Sequence, residues 1–212
     1  MRQYEDILED NLEWVGKKLS LDKDYFKRLS EGQKPPFLYI GCSDSRMPID
    51  TFTQSEPGSF FIHRNIANQI FSNDMNCLAT LEYAVDVLEV EHIIVSGHYN
   101  CGGIKAAHDK CRKSNILSSW LMPIKKIEVE HKEELNEIED EDERLDRLTE
   151  LNVLEQLKHL FELAIVRNKI ESGKYPKIHG WILDIRHGEI IEIEVPIEEW
   201  KSKGIIPTEY NK

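Results

Sequence analysis

The sequence predicts one α/β domain, a mainly parallel β-sheet flanked by helices, preceded by an N-terminal helical arm. Short apolar runs rich in β-branched residues alternate with segments of helical period. That alternation is the pattern of parallel strands joined by helical crossovers. No internal repeat or low-complexity linker divides the 212 residues, a length that suits one sizeable core. The expected domain spans 1–212, with the arm at 1–30 and the α/β core at 37–195.

Residues 3–18 predict an amphipathic helix, with Tyr4, Ile7, Leu8, Leu12, Trp14 and Val15 near helical spacing. A short helix is expected at 22–30. Pro35 and Pro36 then end helical structure, because proline lacks the amide donor and blocks the turn before it. Phe37–Ile40, Ser59–His63 and His92–Ser96 read as strands. The last is a β-branched run and predicts a central parallel strand. Helices are expected over 74–88, about 103–111, 116–150 and 151–171. The acidic run 139–143 reads as a solvated turn or an exposed helix end. Lys177–Leu183 predicts a further strand, and Gly188 a turn into the last one at Ile190–Ile193.

Composition narrows the function. A net charge of −12 argues against nucleic acid as a partner. No apolar run approaches the ~20 residues that cross a bilayer. The start of the chain is too acidic and polar for a secretory signal, so a cytoplasmic location is expected. Disulfides are not expected in a reducing cytosol. Of the four cysteines, Cys77 and Cys111 lie in helical stretches and read as small buried hydrophobes.

The other two cysteines have different company. Cys42-Ser43-Asp44-Ser45-Arg46 follows the first strand, and His98-Tyr99-Asn100-Cys101-Gly102-Gly103 follows the third. Two thiols and an imidazole are ligand types that zinc prefers. Cys42 and His98 each come two residues after a predicted strand, at the carboxyl edge where open parallel sheets gather ligands. A tight turn brings Cys101 to His98, and Gly102-Gly103 are expected to permit it. Asp44 is placed to act as a fourth ligand or as a hydrogen-bond acceptor beside the metal. Arg46 can pair with it bidentately and draw it off. Three ligands plus a restrained carboxylate suit a catalytic zinc with an open position. The remaining histidines, His92, His108, His131, His159, His179 and His187, have no comparable context and read as structural or solvent-facing.

These segments resemble the β-class carbonic anhydrases. The first motif looks like that family's first signature and His98–Gly103 like its second. His63-Arg64-Asn65-Ile66-Ala67-Asn68, Glu82-Tyr83-Ala84-Val85 and His179-Gly180-Trp181 also match in order, so the similarity runs from about Leu38 to Ile193. The resemblance implies one Zn2+ per chain on Cys42, His98 and Cys101, an Asp44–Arg46 catalytic dyad, and Gly103 near the substrate. It implies reversible CO2 hydration to bicarbonate by attack of zinc-bound hydroxide, with Asp44 accepting the hydroxide hydrogen bond. His63 or another exposed base would help carry the released proton. It also implies a homodimer or tetramer, in which residues 3–18 embrace the neighbouring subunit. One subgroup has a closed, inactive state with the aspartate on zinc, and a noncatalytic bicarbonate site built from Trp, Arg and Tyr. The matching positions here are Tyr39, Arg64 and Leu183, of which two depart from that pattern. Two rival functions share the scaffold: a zinc hydrolase of CS2 or COS, and a noncatalytic zinc-binding protein, for which the dyad would have no use.

Overall fold

The computed structural model describes residues 3–109 and 115–211. The chain forms two compact units, residues 1–34 and 35–212.

The first unit holds α1 (Tyr4–Leu21) and α2 (Tyr25–Ser30). Asp6 closes a capping box on the Gln3 amide at 2.7 Å, and Glu5 and Asp6 complement the positive end of the helix. The hairpin is fastened by Trp14, Tyr25 and Phe26, whose rings meet edge-to-face with centroids 5.0–6.3 Å apart. Lys18 adds a cation over the Tyr25 ring.

The second unit carries the sheet. Its elements are β1 (Phe37–Cys42), α3 (Ile49–Thr53), β2 (Phe60–Asn65), α4 (Met75–Glu82), β3 (His92–His98), α5 (Gly102–His108), α6 (Asn115–Trp120), α7 (Met122–Glu130), α8 (Lys132–Asn136), α9 (Glu141–Glu162), α10 (Ala164–Glu171), β4 (Lys177–Asp184), β5 (Glu189–Ile193) and α11 (Ile197–Ser202). Strand order is β2-β1-β3-β4-β5. The first four strands are parallel and β5 runs antiparallel to β4. β3 is central, as its apolar run predicts. Alternate residues divide the sheet's faces. Leu38, Ile40, Ile93, Val95, Ile178 and Ile182 join the main core under α4 and α9. Tyr39 and Ile94 form a smaller cluster with Ile49 on the other face.

α9 packs against bare backbone. A Cβ on Gly97 would lie 2.7 Å from Val153, and one on Gly180 would lie 2.8 Å from Leu157. Glycine at those two points lets the helix settle onto β3 and β4.

Several boundaries differ from expectation. β1 and β3 run on through Gly41-Cys42 and Gly97-His98, because cross-strand pairing continues to Cys42↔Asn65 and His98↔Leu183. Both ligands are therefore the last residues of their strands, not residues two beyond. The helix expected to begin at 151 starts at Glu141, where the Asp140 carboxylate caps the Glu143 amide at 2.9 Å. Its acidic run is the first turn, an exposed helix end as expected. It stops at Leu163, whose extended backbone (ψ 131°) separates α9 from α10. Residues 83–87 form one wide π-type turn after α4. Among the described residues, no helix is long and apolar enough to cross a membrane.

Candidate active site

Cys42 ends β1, His98 ends β3, and Cys101 is the N-cap of α5. Parallel pairing of β1 with β3 carries the first two to one edge of the sheet. The turn that returns Cys101 is made at Asn100, whose φ is 55°. Asparagine enters this left-handed region more readily than other side-chain-bearing residues. Gly102 and Gly103 do not supply the turn, contrary to expectation, since both are helical. Gly103 is needed for closeness instead, because a Cβ there would meet Ala67 and Ile66 at 3.0 Å.

The three ligand atoms lie within 4.8 Å of one another and all three residues are buried. The two sulfurs are 3.9 Å apart. His98 Nδ1 lies 2.9 Å from the Tyr99 carbonyl oxygen, a contact in which the ring nitrogen must donate. That assigns the proton to Nδ1 and leaves a lone pair on Nε2, which is buried and has no hydrogen-bond partner. A buried lone pair without a partner is costly unless something electrophilic takes it. The thiols point the same way. The Cys101 S–H, aided by His98, lowers the Cys42 thiol, while Cys42 and burial push Cys101 well up. Two thiolates 3.9 Å apart would repel each other, and a cation between them removes that cost. Zinc fits this donor set of two sulfurs and one neutral imidazole.

Asp44 and Arg46 sit beside the cluster. Arg46 donates from Nε to Asp44 Oδ1 at 2.9 Å and from Nη2 to Oδ2 at 2.8 Å, and its backbone amide donates to Oδ1 at 2.9 Å. Nη2 also reaches the Asn100 carbonyl at 3.2 Å. These bonds from Arg46 hold the Asp44 carboxyl far below the usual carboxylate range, against the opposing effect of its partial burial. Asp44 Oδ2 lies 3.8 Å from His98 Nε2, so the carboxylate borders the metal position while committed to the guanidinium. Arg64 ties the segment down by donating to the Cys42 and Asp44 carbonyls at 2.7 and 2.6 Å.

The other expectations sort as follows. His63 is 6% exposed, pairs with Asn65 at 3.3 Å, and has its pKa lowered by burial, so it is not an exposed base. Trp181, rather than Leu183, shares the small cluster of Tyr39, and Leu183 is fully buried. The remaining histidines take local partners: His92 with His179, His179 with Glu192, His108 with Glu128, His131 with Glu134, His159 with the Ile70 carbonyl, and His187 with Asp184. Cys77 is a core thiol pushed up to about 11 by burial, whereas Cys111 lies outside the described residues.

The sequence reading missed a second group near the site. Asp184 ends β4 and Arg186 follows it, and Asp146 and Glu150 lie on α9. Arg186 bonds Asp184 at 3.1 Å and Asp146 at 2.8 Å, and Tyr99 donates to Glu150 at 2.6 Å. The available signal was a repeated Asp-x-Arg at two strand ends.

Comparison with known proteins agrees with this geometry. The sequence profile of the carbonic anhydrase family matches residues 37–190. A carbonic anhydrase of Emericella nidulans is 40% identical over 192 residues, covering 91% of this chain and 84% of that protein. One of Candida albicans is 33% identical, covering 98% and 74%. Among solved structures, a tetrameric β-carbonic anhydrase of Sordaria macrospora superposes with a TM-score of 0.85 at 41% identity, covering 90% of this chain and 96% of that one. A β-carbonic anhydrase of Aspergillus fumigatus gives 0.87 at 36% identity, covering 95% and 97%. With its ligand cluster at the carboxyl edge of a matching sheet, the chain belongs to the β-carbonic anhydrase family.

Proposed function

We propose that this protein is a zinc-dependent carbonic anhydrase, interconverting CO2 and water with bicarbonate and a proton. The observation that carries the reading is the unpartnered His98 Nε2, grouped with two buried sulfurs and bordered by a carboxylate that a guanidinium restrains. Cys42, His98 and Cys101 hold one zinc ion. When bound, it supplies an acidified water as the nucleophile for CO2, less acidic than on an all-histidine site because thiolates donate more charge.

The protein's own groups do the rest. Asp44 accepts the hydrogen bond of the nucleophile and so fixes which lone pair meets the carbon. It must be ionised to do this, since a protonated carboxyl would donate instead. Arg46 keeps it ionised and occupies both its oxygens. A closed state with Asp44 as fourth ligand requires release of that pair. Gly103 stands beside the substrate in this reading, and its missing side chain lets α5 approach Ile66 and Ala67. Neither rival is favoured: the similar proteins are carbonic anhydrases, and a noncatalytic scaffold has no use for the dyad. Replacing Cys42 with Ser should remove most of the zinc, measured by elemental analysis. Full retention in both Cys42→Ser and Cys101→Ser overturns the site.

The working unit in this reading is a homodimer or tetramer in the cytoplasm. The Sordaria relative is described as tetrameric, and α1 buries none of its own apolar residues. Thiol ligands also suit a reducing compartment. Removing residues 1–18 is expected to weaken association in analytical ultracentrifugation. A fully active monomer rules out a shared site.

A further inference from the structure

Resting on that reading, the geometry points to a positioning set beyond the ligands and the dyad: Arg186, anchored by Asp184 and Asp146, acts with Glu150 to hold the Tyr99–Asn100 turn, and the turn's two carbonyls orient the His98 ring and the Arg46 guanidinium.

The turn after β3 does two tasks with consecutive carbonyls. Tyr99 O accepts from His98 Nδ1 at 2.9 Å, and Asn100 O accepts from Arg46 Nη2 at 3.2 Å. A shift of this turn therefore moves a metal ligand and the dyad together. Packing alone does not hold it. A cavity of about 100 Å³ lies behind it, lined in part by Asn100, Cys101, Asp146 and Arg186. Asn100 itself is in a left-handed conformation, one that asparagine tolerates better than other side chains do.

Tyr99 packs against the main core, and polar contacts add to that packing. The Tyr99 hydroxyl donates to Glu150 at 2.6 Å, and Arg147 braces the other Glu150 oxygen at 2.7 Å. The Tyr99 amide donates to the Leu183 carbonyl at 3.1 Å. The Arg186 guanidinium lies over the Tyr99 ring, 5.1 Å from its centre. Asp184 fixes that guanidinium through Nε at 3.1 Å, and Asp146 fixes it through Nη2 at 2.8 Å. Burial pushes the Asp146 carboxyl up, while Arg186 and the Asn100 amide favour its charge, which links Asp146 to the turn as well as to Arg186. β3 lies between β1 and β4, so the turn is gripped from both sides.

Partners that orient a ligating imidazole are worth about 10–100-fold in metal affinity or activity. The test measures zinc dissociation constants by chelator competition, kcat and KM, and the visible spectrum of the cobalt(II)-substituted protein. Wild type, Arg186→Ala, Arg186→Lys and Tyr99→Phe are compared. Arg186→Ala is expected to weaken zinc about 10–100-fold, lower kcat more than it changes KM, and shift the cobalt bands. Tyr99→Phe should move all three the same way by less. Lysine should rescue only in part, because it cannot bridge two carboxylates with a planar fork. Wild-type zinc affinity, kcat and cobalt spectrum in Arg186→Ala overturn the inference, even if that variant melts earlier. Should it fail to fold, an unchanged zinc constant and spectrum in Tyr99→Phe overturn it. Wild type that binds no zinc in the same titration would sink the underlying site reading instead.

Discussion

Asp44–Arg46 and Asp184–Arg186 close the same local ring at two strand ends. In each, the arginine amide donates to the first carboxylate oxygen at 2.9 Å and Nε donates to that same oxygen, at 2.9 Å in one and 3.1 Å in the other. They flank the β3 turn, one just after β1 and one starting at the last residue of β4. What differs is the neighbourhood. Asp44 borders the buried His98 Nε2, and its carboxylate is the working end. Asp184 shares its second oxygen with His187 at 2.8 Å, and there the working end is the guanidinium over Tyr99. In the proposed reading, identical spacing and nearly identical hydrogen bonds serve chemistry in one place and support in the other. The role is set by what each pair faces.

The sharpest way to break this comparison is to neutralise each carboxylate. Asp44→Asn should reduce kcat by about 100-fold or more, in line with loss of a preorganised group at the reacting centre. Asp184→Asn should stay within about tenfold, because Asp146 still holds Arg186. Stopped-flow CO2 hydration measures both, and equal losses would erase the distinction. A smaller effect sharpens it in acid. Burial opposes ionisation of Asp184, yet hydrogen bonds from His187 and Arg186 bring it down to about 2. Its unfolded value is about 3.9. A depressed folded value adds stability above the unfolded one, and that stability fades as pH falls through the folded one. Urea midpoints of wild type and Asp184→Asn should therefore differ more at about pH 5 than at about pH 2.5. A constant difference would mean that Asp184 is not held ionised by its partners.

Much of this was legible in the sequence. β-branched runs such as Ile93-Ile94-Val95 located the sheet, and thiol and imidazole chemistry singled out Cys42, His98 and Cys101. Strand ends were not, because Gly41 and Gly97 carry no strand propensity and are extended by cross-strand pairing alone. The break at Leu163 has no proline or glycine to announce it. The charge change near residue 150 looked like a boundary, but α9 runs through it from the Asp140 cap. Arg186 was missed because Asp-x-Arg on a surface turn reads as an ordinary ion pair. Only the fold brings Tyr99 under it.

The glycine contacts of α9 give that helix the mechanics of a cantilever. Its root is clamped where Val153 and Leu157 rest on Gly97 and Gly180, two points at which the strands carry no side chain. Glu150 lies three residues out from Val153 and Asp146 seven, about 4.5 and 10 Å along the axis. Thr149 also meets Gly97, so this support reaches the residue beside Glu150, and a shift of the helix there carries Glu150 and Asp146 with it. In the inferred arrangement, a methyl group added at Gly97 would press on Val153 and Thr149 and reach His98 through the helix and the turn.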